Sequence, residues 1–481
     1  MNYNNLKQLD NNLWELPIRG KMKVPGRIYA NKKLLQQIYR DNALEQVCNV
    51  ACLPGIRKYS LAMPDIHWGY GFPIGGVAAM DRESGVISPG GVGYDINCGV
   101  RFIRTKLGIE DVKGKLDQMV NAIFREVPTG VGSRNAIDKL SYKEMKKILT
   151  GGAKWAIEKG YGIESDLAAI EEGGQLSQAD PEKVSSKAMQ RGSNQPGTLG
   201  SGNHFIEIGI IKDVLDRKVA RSFKLKKDQI IIMIHTGSRG LGHQICDDYV
   251  HKMLMEIDKL GFDLPDRQLA CAKINSKLGE DYYKAMACAA NYAWANRQII
   301  MSRVEKEIST FLRVDYADLG FELIYDVCHN IAKFEQHMIN GEKEELCVHR
   351  KGATRAFGPS RTELASKFRE TGQPVIIPGD MGTESYLCVG TDKAMIETFG
   401  SSCHGAGRTM SRHQALRSTN IGKVFNELKT KHIYFRAAKN KTLVEEMSDA
   451  YKNVSEVVNT MHDSGIVKKV VRTKPLGVVK G

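Results

Sequence analysis

Short apolar runs in this chain end directly on polar residues. Residues 230–234 are all apolar and lead into His235, and the mostly apolar stretch 321–328 leads into His329. A third run, 375–377, opens into a loop of proline and glycine. Such runs are typical of buried strands, and loops at strand ends are where α/β proteins place functional side chains. The pattern therefore predicts strands that present His235 and His329 at their ends.

Longer segments have helical periodicity. Apolar residues recur every three or four positions over residues 112–123, and every four positions over residues 300–312. Both patterns predict amphipathic helices that pack one face on a core. The second pattern belongs to a long helical stretch, 282–312, that we interpret as scaffold.

Residues 203–208 follow a run of glycines and predict an alternating strand. Alternate side chains of a strand lie on opposite faces. One face therefore carries Asn203, Phe205 and Glu207, and Asn203 and Glu207 could reach the same ligand. The other face carries His204, which could reach a different one. A histidine at the start of a strand is also a common core residue, so this segment alone does not establish a site.

The glycine-rich loop 91–99 contains Asp95 and Cys98 three positions apart. Glycine permits unusual backbone angles and close approach, so both side chains can point into one small space. A hard oxygen donor beside a soft sulfur donor is a plausible start of a transition-metal site. Two ligands do not make a site, so histidines elsewhere have to supply the rest.

Two further segments carry reactive residues. Residues 63–76 predict a long Gly/Pro loop that holds Asp65, which could orient a ligand histidine, act as an acid, or cap backbone amides. Small residues surround His404 and leave room for a bulky group beside its imidazole. Arg408 and Arg412 follow, and guanidinium groups match phosphate oxygens bidentately. A turn that merely needs glycine is the alternative interpretation of the second segment.

Basic residues cluster in several places. The strongest local cluster, 349–356, contains Arg350, and Arg239 lies in the Gly/Ser/Arg loop after the apolar run 230–234. The lysine-rich segment 468–480 predicts a solvated tail, although Lys480 follows apolar residues and could be packed.

Composition limits the number of domains. The 481 residues contain no linker-like stretch and no internal repeat, and 42% of them are hydrophobic, which is ample for a large core. We therefore predict one catalytic domain over residues 1–481, with helical elaborations. The ten cysteines include no CxxC pair, so neither a disulfide framework nor a zinc knuckle is indicated.

Charge points to a polyanionic partner. The net charge is +14 at pH 7 and the pI is about 9.1, which favours nucleic acid. A lysine-rich surface typical of a heat-adapted protein is the alternative. The first residues lack the apolar core of a secretory signal, and no apolar run is long enough to cross a bilayer. We therefore expect a cytoplasmic protein that does not insert into a membrane.

Each histidine is unconvincing alone, but five potential ligands share one kind of position. All lie in glycine-containing loops or at strand ends: Asp95, Cys98, His204, His235 and His329. Five such donors fit two adjacent metals with a shared ligand, because a thiolate can bridge. This mixture of oxygen, nitrogen and sulfur suits Mn, Fe or Zn better than Mg or Ca. With His404 left over beside arginines, the set predicts phosphoryl or nucleotidyl transfer.

Seven stretches together resemble the RtcB family, the GTP- and manganese-dependent tRNA-splicing RNA ligases. They are residues 93–99, 200–207, 235–242, 329–330, 349–356, 378–385 and 404–408. The resemblance extends from about residue 22 to residue 481, so it covers nearly the whole chain. It implies an α+β fold, with a single large mixed α/β catalytic domain around a central metal site.

The resemblance also implies two Mn²⁺ ions. One would be held by Asp95, Cys98 and His204. The other would be held by Cys98, His235 and His329, so that Cys98 bridges the two ions.

GTP is the second implied cofactor, and His404 would be the nucleophile that carries GMP. The implied GTP contacts are Asn203, Phe205, Glu207, Asn330, Pro378, Gly379, Asp380, Met381, Ser385, Ala406, Gly407, Tyr451 and Lys480. Glu207 suits guanine, because a carboxylate accepts from the N1–H and N2 amino edge and would repel the acceptor edge of adenine. Asp380 stands where many family members have serine. A carboxylate beside a triphosphate is repelled unless a metal, a lysine or a proton neutralises it.

The implied reaction joins an RNA 3′-phosphate, or a 2′,3′-cyclic phosphate, to a 5′-hydroxyl. Neutral His404 attacks the α-phosphorus of GTP and pyrophosphate leaves. A cyclic end is hydrolysed to a 3′-phosphate, which takes GMP from the histidine. The 5′-hydroxyl then attacks the activated end and GMP leaves. The substrates would be tRNA halves or broken RNA, and an archease-type activator is a candidate partner.

Arginines are the candidates to hold RNA phosphates, on the basis of charge and position in loops. They are Arg239, Arg350, Arg408 and Arg412. Two other functions compete with ligation. A metal-dependent RNA cyclic phosphoesterase would need the metal ligands but neither His404 nor Glu207. A basic RNA-binding protein with a vestigial site would need no metal, and the five intact ligands argue against it.

Overall fold

Helices and strands are mixed throughout residues 6–481, which the computed structural model describes. The strands are β1 (Lys7–Asp10), β2 (Leu13–Leu16), β3 (Gly26–Tyr29), β4 (Ile56–His67), β5 (Ile74–Asp81), β6 (Val86–Ile87), β7 (Gly99–Gly108), β8 (Phe205–Val214), β9 (Gln229–Thr236), β10 (Ala272–Lys273), β11 (Glu322–Cys328), β12 (Asn330–Ile339), β13 (Glu342–Lys351), β14 (Ala353–Arg355), β15 (Pro374–Ile377), β16 (Ser385–Gly390), β17 (Ser401–Cys403), β18 (Tyr434–Ala437) and β19 (Val467–Lys480).

The helices are α1 (Lys32–Ile38), α2 (Ala43–Val50), α3 (Ile109–Val112), α4 (Leu116–Glu126), α5 (Tyr142–Glu158), α6 (Ser186–Gly192), α7 (Arg217–Ser222), α8 (Arg239–Met255), α9 (Lys277–Leu312), α10 (Tyr316–Leu319), α11 (Asp392–Glu397), α12 (Arg412–Ser418), α13 (Ile421–Thr430), α14 (Asn440–Glu445) and α15 (Val454–Asp463). This mixture confirms the predicted α+β class.

Two large sheets contain most of the strands. One has the order β1-β2-β3-β4-β5-β13-β12. The other has the order β11-β7-β9-β8-β19-β16-β15, and β18 pairs in parallel with β19. Every neighbouring pair on this second path is antiparallel. Strands that are distant in sequence are therefore neighbours in space, which brings together loops from all parts of the chain.

The predicted apolar strands of the second sheet are confirmed. All eight residues of β9 are buried, which explains its continuous apolar run. The strands β11 and β15 also cover the predicted segments. The small two-stranded sheet of β14 and β17 ends at Cys403 and delivers the chain to His404.

The predicted scaffold helix is confirmed as α9. It has 36 residues and begins before the predicted stretch 282–312. Ser276 caps its first turn by accepting from the backbone N–H of Gly279, and the helix ends at Arg313, where φ is 58°. It packs against α4, α5 and α8. Its buried side chains include Asn296 and Arg297, which reach loops of the second sheet. No helix in the described part of the chain has the length and apolar composition needed to cross a membrane.

Three interpretations of local sequence are wrong. The helix predicted over residues 112–123 is broken between α3 and α4, because Gly114 takes a φ of 74°. The predicted loop 63–76 is largely strand, so Asp65 lies within β4. The segment 468–480 is not a solvated tail but part of β19, which pairs with β8 and β16 inside the second sheet. Its lysines gave it a polar appearance, whereas nine of the fourteen residues of β19 are buried.

Candidate active site

Five potential metal ligands meet in two overlapping groups. One group is Asp95, Cys98 and His204. The other is Cys98, His235 and His329, and the ligating atoms within each group lie within 4.8 Å of one another. The Cys98 sulfur lies 3.4 Å from His204 Nε2 and 3.3 Å from His235 Nε2. The Nε2 atoms of His235 and His329 are 3.3 Å apart. A sulfur shared between two such groups fits a bridged pair of metal ions.

These residues flank the ends of four neighbouring strands. Cys98 directly precedes β7, and His204 directly precedes β8. His235 is the last but one residue of β9, and His329 directly follows β11. Because these strands are consecutive antiparallel neighbours, the starts of β7 and β8 meet the ends of β9 and β11 at one edge of the sheet. The backbone N–H of His329 even donates to the carbonyl of Cys98, at 2.9 Å.

The ring of His204 has a defined tautomer. Its Nδ1 lies 3.0 Å from the carbonyl oxygen of Leu199, which can only accept, so Nδ1 carries the proton in the neutral ring. Nε2 then holds a lone pair, yet it faces Asp95 Oδ2 at 2.8 Å and the Cys98 sulfur at 3.4 Å. Acceptors that face one another in a buried site need a proton or a cation between them. The donor set therefore fits a metal ion.

Burial keeps the other two histidines neutral. It lowers the pKa of His235 and of His329 well below the ordinary value, and neighbouring histidines add to the effect. Neutral imidazole is the form that binds a metal. Burial, followed by the charge of Asp95, raises the pKa of the Cys98 thiol well above its ordinary value. A thiolate at this position therefore needs a cation beside it.

His404 lies beside this cluster and is oriented by Asp65. Its Nδ1 is 2.6 Å from Asp65 Oδ2, and the same oxygen accepts from the backbone N–H of His404 at 3.0 Å. Asp65 is completely buried and thus both orients a histidine and caps backbone amides. With the Nδ1 proton held by the carboxylate, Nε2 is the nitrogen with a free lone pair. The His404 ring centroid is 4.8 Å from that of His329.

A cavity of about 330 Å³ opens beside His404 and four of the five potential metal ligands. The predicted GTP contacts that line it are Asn203, Phe205, Asn330, Pro378, Gly379, Asp380, Met381, Ala406, Gly407, Tyr451 and Lys480. Glu207 and Ser385 are not in the lining; Glu207 is buried, and the Ser385 hydroxyl accepts from the backbone N–H of Gly379. The volume is at the small end of the range for ligand pockets.

Glu207 has an unsatisfied carboxylate. Burial, followed by the charge of Asp380, raises the pKa of Glu207 to about 8, and Lys480 opposes this shift. Its Oε1 has no hydrogen-bond partner in residues 6–481. A buried acceptor without a donor is costly, so the side chain fits a ligand that presents an N–H group.

Asp380 is engaged by its own surroundings. Its carboxylate accepts from the backbone N–H of Gly382 at 2.8 Å, from the Thr383 hydroxyl at 2.8 Å and from the Ser448 hydroxyl at 2.7 Å. Burial raises the pKa of Asp380, and these hydrogen bonds oppose the shift. The carboxylate thus braces the loop 378–385 at the position where the resemblance expects serine.

Three cationic side chains in one wall of the cavity surround the carboxylate of Glu446. Nothing in the sequence distinguishes Glu446 from the glutamates around it. Its carboxylate lies 3.2 Å from Arg408 Nη1, 3.6 Å from Arg412 Nε and 3.8 Å from Lys480 Nζ. The Tyr451 hydroxyl also donates to it. One buried anion therefore fixes three cations around the cavity.

The four arginines proposed for RNA phosphates have different environments. For Arg350 the prediction is wrong, because this side chain is fully buried and its guanidinium binds both carboxylate oxygens of Glu335. Arg239 is partly buried, donates to hydroxyl groups and does not line the cavity. Arg408 and Arg412 do line it, and 53% of the Arg412 side chain is accessible.

Arg297 braces the ligand loops from α9. Its guanidinium donates to the carbonyls of Asn97 and Thr236, at 2.8 and 2.9 Å, and to the Asp326 carboxylate at 2.8 Å. Asn97 lies in the glycine loop of β7, and Thr236 ends β9. The signal that could have found it is an arginine between two amide residues, Asn296 and Gln298, within an otherwise apolar stretch of the predicted helix. Arg101 also binds Asp326, at 2.7 Å, and completes the cluster.

A family model for the tRNA-splicing ligase RtcB matches residues 46–481. The chain belongs to the RtcB family. It is 52% identical over 478 residues to the tRNA-splicing ligase RtcB of Archaeoglobus fulgidus, with 99% of each chain covered. It is 51% identical over 470 residues to that of Methanococcus maripaludis, with 97% of this chain and 98% of the other covered. For Thermococcus kodakarensis the identity is 49% over 477 residues, with 99% of each chain covered.

The RtcB match confirms the resemblance that the motifs carried. It contains every potential metal ligand, His404 and all residues that line the cavity. The matched region is preceded by α1 and by β1, β2 and β3, and these three strands extend the first large sheet. The RtcB relatives cover this part as well.

Proposed function

We propose that this RtcB-family chain is an RNA ligase of tRNA splicing and RNA repair. It would join an RNA 3′-phosphate or 2′,3′-cyclic phosphate to a 5′-hydroxyl, with GTP and two Mn²⁺. The names of its relatives, tRNA-splicing ligase RtcB, support the reaction class. The observation that carries the proposal is the juxtaposition of His404, held by Asp65, with two ligand groups that share Cys98.

The two groups that meet at Cys98 would hold the metal ions. Bound there, the ions would neutralise phosphate charge and align the reacting groups. A neutral imidazole, a carboxylate and a thiolate are ligands that Mn²⁺ accepts. The edge of the sheet fixes most of the ligand positions, because Cys98, His204 and His329 directly adjoin paired strands and His235 lies within one.

His404 is the nucleophile of the proposed reaction. Its Nε2 attacks the α-phosphorus of GTP, an N–P bond forms, and the bond to pyrophosphate breaks. The Asp65 carboxylate, 2.6 Å from Nδ1, stabilises the positive charge that develops on the ring. The RNA 3′-phosphate then displaces the histidine and takes GMP. The 5′-hydroxyl attacks that activated phosphate, and GMP leaves.

Glu207 supports guanine as the base. Guanine presents N1–H and N2–H₂ side by side, and Glu207 has a buried oxygen without a donor. Adenine presents an acceptor at N1, which would leave that oxygen unsatisfied. Lys480 lies 5.6 Å from the centroid of the Phe205 ring in the cavity lining, so a cation and an aromatic face are available to the same nucleotide.

Labelling with α-³²P-GTP and Mn²⁺ tests the proposal. After denaturing electrophoresis we expect label on the wild-type chain, lost in mild acid and stable in base. His404→Ala should reduce labelling by more than about 100-fold, because the nucleophile is gone. His413→Ala, which removes an exposed histidine of α12, is the matched control and should label normally.

Absence of label on wild-type chain that binds Mn²⁺ would contradict the GTP-dependent step. If such a chain still opened 2′,3′-cyclic phosphates, it would be a cyclic phosphoesterase without ligation. Equal labelling of wild type and His404→Ala would exclude His404 as the nucleophile.

A further inference from the structure

A second groove is continuous with the cavity. It has a volume of about 1100 Å³. The residues that line both are His67, Ile74, Asp380, Arg408, Arg412 and Tyr451. The rest of its lining comes chiefly from the turn between α1 and α2, from the end of β4, and from residues 409–414 and 448–453. A polymer that lies in this groove can therefore reach the reacting groups with one end.

Trp68 is a large exposed aromatic side chain on this groove, with 45% of its surface accessible. Its backbone is held firmly. The N–H of Trp68 donates to Asp41 Oδ2 at 2.8 Å, and Gly69 exchanges hydrogen bonds of 3.0 and 2.6 Å with the side chain of Gln46 on α2. An exposed indole ring on a firmly held backbone offers a surface on which a base can stack.

Cations with few internal partners accompany the ring. Arg40 is exposed and forms no ion pair in the described chain from residue 6 onward. Arg412 is mostly accessible, with a contact of 3.6 Å to Glu446. Two of the three acidic residues that line the groove are engaged, since Asp41 accepts from the backbone N–H of Trp68 and Asp380 accepts from its own loop, whereas Asp449 is exposed. The lining of the groove therefore combines two accessible guanidinium groups with one exposed aromatic ring.

We propose that this groove binds the single-stranded RNA adjacent to the reacting end. Trp68 stacks on a base, and Arg40 and Arg412 contact phosphates. The inference rests on the proposed function, since it assigns the RNA of that reaction to a surface. Alternating aromatic and guanidinium contacts are how single-stranded nucleic acid is held without sequence preference.

The intrinsic fluorescence of Trp68 can report RNA binding in the groove. Of the other tryptophans, Trp155 and Trp294 are 4% and 0% exposed, and Trp14 is partly buried. Titration of a single-stranded RNA 12-mer should therefore quench the fluorescence of wild-type chain chiefly through Trp68. Trp68→Phe should lose this quench yet keep RNA binding, because phenylalanine still stacks. Separate 12-mers that end in a 3′-phosphate or in a 5′-hydroxyl show which strand occupies the groove.

Affinity for fluorescein-labelled RNA provides the quantitative comparison. We expect Trp68→Ala to weaken RNA binding about 10-fold, Trp68→Phe by less than about 3-fold, and the slope of log K against log salt to stay unchanged in both. Arg40→Ala should instead reduce that slope by about 0.7, the value for one phosphate contact with a single strand. Tyr316→Ala and Arg217→Ala alter exposed residues outside the groove and are the matched controls.

Labelling with GTP separates this inference from the proposed function. Trp68 does not line the cavity, so Trp68→Ala should still accept GMP on His404, which also shows that the variant is folded. Wild-type RNA affinity in Trp68→Ala and an unchanged salt slope in Arg40→Ala would overturn the groove assignment, even if guanylylation proceeds. A groove that serves a protein partner would give that outcome. If the wild-type chain is not labelled by GTP, that result would instead contradict the proposed function.

Discussion

The cluster of Arg101, Arg297 and Asp326 and the cluster of metal ligands are both buried, but their hydrogen bonds are arranged in opposite ways. Asp326 accepts from both arginines, and each N–H of Arg297 reaches an oxygen. In the ligand cluster, His204 Nε2 faces the acceptors of Asp95 and Cys98. The Nδ1 atoms of the other two histidines have no partner within residues 6–481.

The difference separates a polar cluster that is neutralised within the protein from one that fits an added cation. Asp326 neutralises the buried guanidinium of Arg297, so the arginine cluster can hold the ligand loops in place without an added ion. Within residues 6–481, only Arg101 Nη2 among the side-chain atoms of this cluster has no hydrogen-bond partner. Acceptors that face one another are stable only when something positive joins them. Two other buried residues show the same difference. Arg350 is neutralised by Glu335, whereas Glu207 Oε1 has no hydrogen-bond partner within residues 6–481.

The largest effect should follow from breaking the arginine cluster. Asp326→Asn keeps the shape but leaves Arg101 and Arg297 buried without an anion, and we expect a loss of about 3–5 kcal/mol in unfolding free energy. Urea unfolding of the metal-free chain measures it. Glu110→Gln, which breaks an exposed pair with Lys113, should change stability by less than about 0.5 kcal/mol. Similar small losses in both variants would remove the basis of the comparison.

Removal of the Cys98 sulfur, which both ligand groups share, should change the folding stability less but should strongly weaken metal binding. Cys98→Ala should weaken binding of Mn²⁺ or Co²⁺ by at least about 100-fold and abolish the thiolate-to-Co²⁺ absorption band. The metal-free chain should lose less than about 1.5 kcal/mol of stability. Cys328→Ala removes an equally buried sulfur next to His329 that lies in neither ligand group, so it should retain the band. Retention of the band in Cys98→Ala would exclude the bridging role.

The smallest effect should appear in the pH dependence of stability. The pKa of Glu207 is raised from 4.5 to about 8 in the folded chain, so its stabilisation is complete below pH 4.5 and lost as pH rises through 8. Glu207→Gln cannot ionise. Relative to wild type, it should gain about 2–3 kcal/mol as pH rises from 6 to 8, because wild type must then either keep its proton or bury an unsatisfied charge.

Thermal unfolding midpoints of both chains at several pH values measure this gain. Glu158→Gln, at an exposed position of α5, is the control and should follow wild type. Parallel profiles for wild type and Glu207→Gln would mean that Glu207 is already satisfied in the folded chain.

Local sequence predicts the parts of the site that depend on neighbouring residues. The apolar runs before His235 and His329 predict strands, and both strands form where expected. Glycines around Asp95 and Cys98 predict a loop, which the structure places directly before β7. The donors were recognisable because each one lies in a glycine-containing loop or at the end of an apolar run.

Other parts depend on partners far along the chain, which no local pattern reveals. Asp65 looked like a loop residue among glycines and prolines. However, β4 pairs with β5 on both sides of Asp65, at Ala62 and at His67, and this pairing keeps Asp65 in a strand. Arg350 looked exposed because an arginine is rarely buried alone, and its partner Glu335 lies on the adjacent strand β12. Glu446 acquires its role only where three cations from separate segments converge on it.

The position of β19 has a consequence for how the chain is made. This strand lies between β8 and β16, yet it follows β8 by about 250 residues. At about 5–20 residues per second, a ribosome needs roughly 13–50 s to deliver it. Throughout that interval the emerging chain displays the unpaired edge of β8, directly after His204, and once β16 has been made it displays a second unpaired edge. Growth conditions that slow translation should therefore favour aggregation of this protein during its synthesis.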